Sequence, residues 1–170
     1  MSQLKVNSIV PAGGLPSGAN GGILQVVQTV KTDTFSYNAT AFSDLTGLSA
    51  TITPSSNSSK ILVEACIYVS IGTGNGSVSI KFNFVRGSTN IAQPTGTSAA
   101  QQASFFSWSN SAYMQARTMN FLDSPATTSA TTYKVQVGGD GTASTIHVNR
   151  YFSSDNYRGI STLTLYEVTA

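Results

Sequence analysis

The chain has 170 residues, 40% of them hydrophobic and only 9% charged, with a formal net charge of +2. That length supports one domain with its own core and is short for two, and the nine Lys and Arg residues are too scattered to form a phosphate-neutralising stripe, which excludes nucleic acid as an expected partner. Charged residues make up about a quarter of an ordinary soluble domain, so this surface is one of hydroxyls and amides, suited to burial between subunits, where unpaired charge is costly to desolvate.

Residues 1–22 stand apart from the rest. Leu4, Val6 and Ile9 alternate with polar residues, and the stretch from Pro11 to Gly22 is rich in glycine, with a second proline at Pro16. Such a segment gains little by folding alone, so it is read as an extended N-terminal attachment arm in which Leu4, Val6 and Ile9 dock on a partner's sheet edge or groove. It carries no apolar signal core, and no stretch approaches the ~20 apolar residues of a membrane span, so membrane insertion is not expected.

The globular β domain is expected over residues 23–170. β-Branched and aromatic residues recur between turn signals, and no stretch has helical period. Ile23 to Lys31 is predicted as a first strand, and Phe42 to Leu48 with Ser49 to Thr53 as a pair of short extended pieces. Lys60 to Ile71 has the clearest pattern, placing Ile61, Val63, Ala65, Ile67, Val69 and Ile71 on a core face at period two, with Glu64, Tyr68 and Ser70 opposite. The glycine-rich loop 72–77 is predicted to reverse the chain into Val78 to Arg86 as a hairpin, with Ile80, Phe82 and Phe84 facing the core. Residues 87–103 read as a long surface connection holding one short strand. Tyr113 to Leu122, Thr131 to Val137, Ser144 to Asn149 and Ile160 to Val168 complete the set, with Leu163 and Leu165 in the core and a further hairpin turn at Gly138 to Gly141. About eight strands, some separated by long crossings, predict a jelly-roll-like two-sheet sandwich over the competing immunoglobulin-like one.

Signs of enzyme chemistry are sparse. Cys66 and His147 are single examples of their kind, so no intrachain disulfide forms, and a metal centre or Cys–His nucleophile lacks partners. No cofactor motif, catalytic residue or metal ligand is assigned. Cys66 is read as a small buried hydrophobe, His147 as a satisfied structural or surface residue, and Asp123, Asp140 and Asp155 as turn residues that bond backbone amides. One constellation rises above this background. Phe105, Phe106, Trp108 and Tyr113 flank one polar turn, and Tyr151, Phe152, Tyr157 and Arg158 flank another. Aromatic rings beside polar loops stack on sugar C–H faces and also serve protein interfaces. Trp108, Tyr113, Tyr151, Tyr157 and Arg158 are therefore the candidate receptor or interface contacts, with packing at strand ends as the alternative.

The run from Gly22 to Phe35, the run from Leu45 to Ser56 with Ser59-Lys-Ile-Leu-Val63, the segment Arg86-Gly-Ser-Thr89, the stretch from Asn120 to Val135 and the closing Arg158 to Val168 together resemble phage fibre-like virion proteins common in marine and cyanobacterial phages. The opening Leu4 to Pro11 is similar to the leader of that family. The resemblance implies a non-enzymatic virion appendage, homotrimeric and bound to other virion proteins, made in the host cytoplasm and ending on the particle. It supplies no catalytic residues. No long shaft separates leader from globular part, which leaves open a short tail fibre, a head fibre or a capsid or tail decoration protein. Host attachment through a surface polysaccharide or protein is the leading expectation, a purely structural decoration role the alternative, and glycan depolymerisation a distant third.

Overall fold

A computed structural model describes residues 22–72, 78–96, 102–109, 113–139 and 145–169. The proposed attachment residues Leu4, Val6 and Ile9, the loop after Gly72 and the turn residue Asp140 lie outside these. Among the described residues there are thirteen strands and no helix. The first sheet is built on β1 (Ile23–Lys31), β4 (Lys60–Ile71), β8 (Gln115–Asp123) and β13 (Ser161–Val168), and two short strands, β2 (Phe35–Tyr37) and β10 (Ile146–Val148), extend it beside one end of β4. The second holds β3 (Ser43–Ile52), β5 (Val78–Arg86), β6 (Thr89–Ile91), β7 (Phe105–Ser109) and β9 (Thr131–Gly138). A separate ribbon pairs β11 (Arg150–Tyr151) with β12 (Ser154–Arg158).

The pairing order is that of a jelly roll. In the first sheet β1 pairs β13, β13 pairs β4 and β4 pairs β8. In the second β3 pairs β9, β9 pairs β5, and β5 pairs β6 and β7, which lie end to end along it. Counting β6 and β7 as one, eight principal strands make a two-sheet sandwich in which the chain changes sheet at nearly every step. The predicted hairpin between Lys60–Ile71 and Val78–Arg86 is therefore corrected: β4 and β5 lie in opposite sheets. Alternation fixes which face is apolar, and two strands that share a core satisfy it equally well as sheet neighbours or across the core. The same correction holds for the turn after Gly138, since β9 and β10 also lie in different sheets. The tight hairpin is instead β5–β6, where Gly87 at φ +59° turns the chain between Arg86 and Thr89.

The core follows the predicted faces. Ile61, Val63, Ala65, Ile67, Val69 and Ile71 from β4 meet Ile80, Phe82 and Phe84 from β5, Tyr133, Val135 and Val137 from β9, and Leu163 and Leu165 from β13. Each large side chain among them contributes about 1.5–3 kcal/mol by leaving water. The two pieces predicted between Phe42 and Thr53 are one strand, β3 (Ser43–Ile52), kinked by a bulge between Asp44 and Ser49, where Gly47 takes φ +86°.

Three polar features sit within this apolar frame. Asp123 is not a turn residue: at the end of β8 it is buried and accepts hydrogen bonds from Arg86 Nη1 at 2.7 and 2.9 Å and from the Tyr133 hydroxyl at 2.7 Å, joining the two sheets. Glu167 on β13 is also buried, and it accepts from Gln25 Nε2 at 2.6 Å and from the Ser55 amide and hydroxyl at 2.7 and 2.6 Å. Cys66 points away from the main core, between Thr162 and Thr118 on the outer face of the first sheet, where it is half-buried. Burial and the nearby Glu64 carboxylate hold its thiol above the ordinary range.

That outer face has an unusual composition. One cross-strand row reads Val26, Tyr166, Leu62, Leu122, the next Gln28, Thr164, Glu64, Asn120, and the third Val30, Thr162, Cys66, Thr118. Glu64 is the single charge among these twelve positions, while Val26, Val30 and Leu122 are about half exposed.

Candidate functional site

The strongest concentration of exposed aromatic surface forms where the first sheet ends beside the β11–β12 ribbon. The β10 strand pairs the last residues of β4, and at Asn149 the chain bends out of the sheet to form the ribbon, then returns through Gly159 into β13. Asn149 adopts φ +60° and is fully buried. Its amide Nδ2 donates to the carbonyls of Lys31 at 2.8 Å and Asp33 at 3.1 Å, and its Oδ1 accepts from Ser161 Oγ at 2.6 Å. Its backbone N–H bonds Tyr68 O at 2.9 Å, and its carbonyl accepts from Gly159 N at 3.2 Å. Asn tolerates the left-handed region better than most residues and brings both a donor and an acceptor, so its side chain ties the ends of β1 and β13, and its backbone N–H ties β4, to the base of the ribbon.

On that base stand the tyrosines. Tyr151 stacks on Tyr113 at 6.2 Å between ring centroids and meets Tyr157 edge to face at 5.9 Å. Phe152 packs against the same Tyr151 ring at 5.1 Å. Tyr113 and Tyr157 remain 74% and 66% exposed, far more than rings that close a core. With Met114 they line a cleft of about 450 Å³. Beyond Met114 lies a second cleft of about 450 Å³, lined by Thr32, Tyr68, Met114, Arg158, Gly159 and Ile160. Gly159 is required by close approach: a Cβ there would stand 3.1 Å from Tyr68 Cβ and Cγ and 3.3 Å from Met114 Sδ.

The charges nearby are few. Asp155, placed on β12 rather than in a turn, bonds Arg150 Nη1 at 3.1 Å and stands 3.7 Å from Arg158 Nη2, while Arg158 Nε donates to the Asp155 carbonyl at 2.8 Å. Arg150 gives its remaining donors to the carbonyls of Tyr151 and Phe152. His147 is half-buried, with Nδ1 2.9 Å from Ser36 Oγ. Burial first, and then the Arg150 charge, keep its pKa below the ordinary imidazole value, against a weaker opposing pull from Asp155. Among the described residues no three His, Cys, Asp or Glu side chains gather into a metal-binding group, and no helix is long and apolar enough to cross a membrane.

Four of the five candidate contacts are thus brought together: Tyr113, Tyr151, Tyr157 and Arg158. Trp108 belongs elsewhere. It lies on β7 in the second sheet, 59% exposed and edge to face with Phe106 at 5.7 Å, while Phe105 turns inward against Phe82. Adjacent residues of a strand face opposite sides, so the run that looked like one cluster is divided by its own pleat. Sequence reasoning missed Met114, Tyr68 and Gly159, whose types carry no binding signal and whose roles come from topology.

The cleft's position in the fold is equally informative. Gly22 and Thr169 bond each other through Gly22 N to Thr169 Oγ1 and Thr169 N to Gly22 O, both at 3.1 Å. The cleft gathers at the opposite end of β13, about 26 Å away for eight extended residues. Compared with known proteins, the chain matches no family model and no curated protein.

Proposed function

We propose that this protein is a phage virion appendage subunit, a short tail or head fibre, held to the particle by residues 1–22 and presenting the tyrosine cleft for host-surface glycan binding. The observation that carries the reading is the opposition of ends. The arm enters the domain at Gly22, beside the chain's other end, while the exposed tyrosines gather at the far end of the same sheet. A protein anchored through its arm would hold that cleft outward. Jelly rolls recur in viral capsid and lectin domains, which agrees with the proposal as fold-level analogy. The tyrosines fit the chemistry of sugars: ring faces stack on C–H surfaces, and the hydroxyls of Tyr151 and Tyr157, which make no hydrogen bond among the described residues, are open to sugar hydroxyls.

The proposal includes a homotrimer. Its support is the charge-poor outer face of the first sheet, whose four strands span roughly 500 Å², the larger part of the ~800 Å² that one partner contributes to a specific interface. A second copy is the natural occupant, because the face is apolar in one row and mostly polar with a single charge in the next two, in keeping with the low charge of the whole sequence. That face also favours a second reading, capsid or tail decoration, in which virion proteins cover it and the cleft has no ligand.

Immunogold labelling of intact particles, together with adsorption of purified protein to host cells, tests both readings. A fibre is labelled at appendage tips and adsorbs to cells, and Tyr157→Ala abolishes adsorption without loss of fold. Labelling spread over the capsid with no adsorption would replace the fibre reading with decoration.

A further inference from the structure

The two clefts that meet at Met114 differ in charge, and this difference identifies a class of ligand. Tyr157 and Arg158 are consecutive on β12, so their side chains leave the strand on opposite sides, Tyr157 into the tyrosine cleft and Arg158 into its neighbour. A chain of sugars laid across Met114 would place one ring against the tyrosines and a substituent of the next beside Arg158. One carboxylate serves two guanidinium groups here. Asp155 is closer to Arg150, at 3.1 Å, than to Arg158, at 3.7 Å. Arg150 is consumed by the ribbon's own carbonyls, whereas Arg158 commits only Nε to a short hydrogen bond. Its side chain is 46% exposed and lines the second cleft. Lys31 and Asp33, which follow the same edge, cancel each other at 2.8 Å. The site therefore keeps one uncompensated positive charge, in the planar form that grips a carboxylate through two parallel hydrogen bonds.

Resting on the glycan-binding reading above, the geometry points to an acidic polysaccharide as the ligand, one whose uronate carboxylate pairs with Arg158 while a neighbouring ring stacks on Tyr113 and Tyr157. Arg158 selects for charge, and the tyrosines supply the contact that neutral sugars share. Exposed pairs of this kind are screened by salt, so the selectivity belongs to moderate ionic strength.

The test is an array of acidic bacterial and algal polysaccharides, each printed beside its carboxyl-reduced counterpart, with neutral and sulfated glucans alongside. The full-length protein is expected to bind acidic members at least tenfold more tightly than their reduced counterparts. Arg158→Gln should remove that difference, bringing the acidic members to the level of their reduced counterparts. Tyr157→Ala should weaken both, and Lys60→Gln, at the exposed start of β4, should change neither. Circular dichroism of each variant checks its fold. Equal binding of acidic and reduced members, lost in Tyr157→Ala, would overturn the acidic-ligand inference while leaving the glycan reading standing. Preference for sulfated over carboxylated members would replace the uronate with a sulfate ester and overturn the assignment as stated. Binding to no spot would overturn both readings at once.

Discussion

Asn149 bears more of the cleft's architecture than any residue that touches the cleft. Its side chain makes three hydrogen bonds inside the protein, to two carbonyls and one hydroxyl, from a left-handed backbone. Asn149→Ala removes all three bonds and keeps the positive φ without the side chain that tolerates it, so a loss of about 2–4 kcal/mol is expected in urea unfolding. Glu167 is the second residue with a measurable signature. Burial alone would raise its pKa, but hydrogen bonds from Ser55, Gln25 and Ser59 outweigh this and bring it from 4.5 to about 2. A carboxylate held below its unfolded value stabilises the fold fully above pH 4.5 and ceases to do so as pH falls towards 2. Urea midpoints of the native protein should therefore drop across that window, and Glu167→Gln should be less stable at pH 7 with a flatter profile. Neither residue was legible in the sequence. Asn149 looks like any polar residue after a strand, and although Glu167 falls at period two with Leu163 and Leu165, nothing in the sequence names Gln25, Ser55 and Ser59 as the partners that hold it there. The tyrosines were legible, because rings beside Ser- and Asn-rich turns have few apolar neighbours in the chain to bury them.

Strands with a continuous apolar face were readable almost to the residue, as β1, β4, β5, β9 and β13 show, because a period of two over eight or more residues has no helical counterpart. The short elements were not. The strands β2, β7, β11 and β12 hold two to five residues each, too few for a period, and their pairing depends on where larger strands leave an edge. Membership of one sheet or the other was equally hidden, as the β4–β5 connection shows. The ribbon offers a direct check on the element scale. Its exit at Gly159 passes close enough to Tyr68 and Met114 that Gly159→Ala requires one of those side chains to give by a few tenths of an ångström. Unfolding should change little, since the residue lies outside the main core, while binding to the polysaccharide retained by the native protein should fall at least tenfold.

At the scale of the whole molecule, the arm and the domain make separable claims. Deleting residues 1–22 should leave a folded β domain, because the described strands begin at Ile23 and they supply a contiguous core among themselves. Light scattering should then report the same oligomer as the full-length protein, expected near 53 kDa, about three times 17.8 kDa, while the truncated protein is missing from particles. A 17.8 kDa species at micromolar concentration would count against the trimer.

The pairing of β1 with β13, from Ile23 opposite Val168 to Lys31 opposite Ser161, also governs how the protein is made. β1 leaves the ribosome long before β13, its sheet partner, so the apolar residues of β1 and β4 wait without native neighbours until β13 has been made. The domain consequently folds only once β13 is available, and slowly for its size, on the order of milliseconds to seconds, as expected when distant segments must meet before contacts accumulate. During that interval the sparse charge of the sequence gives little protection against association between nascent chains, so yield should depend more steeply on expression rate and temperature than the stability of the finished protein would suggest.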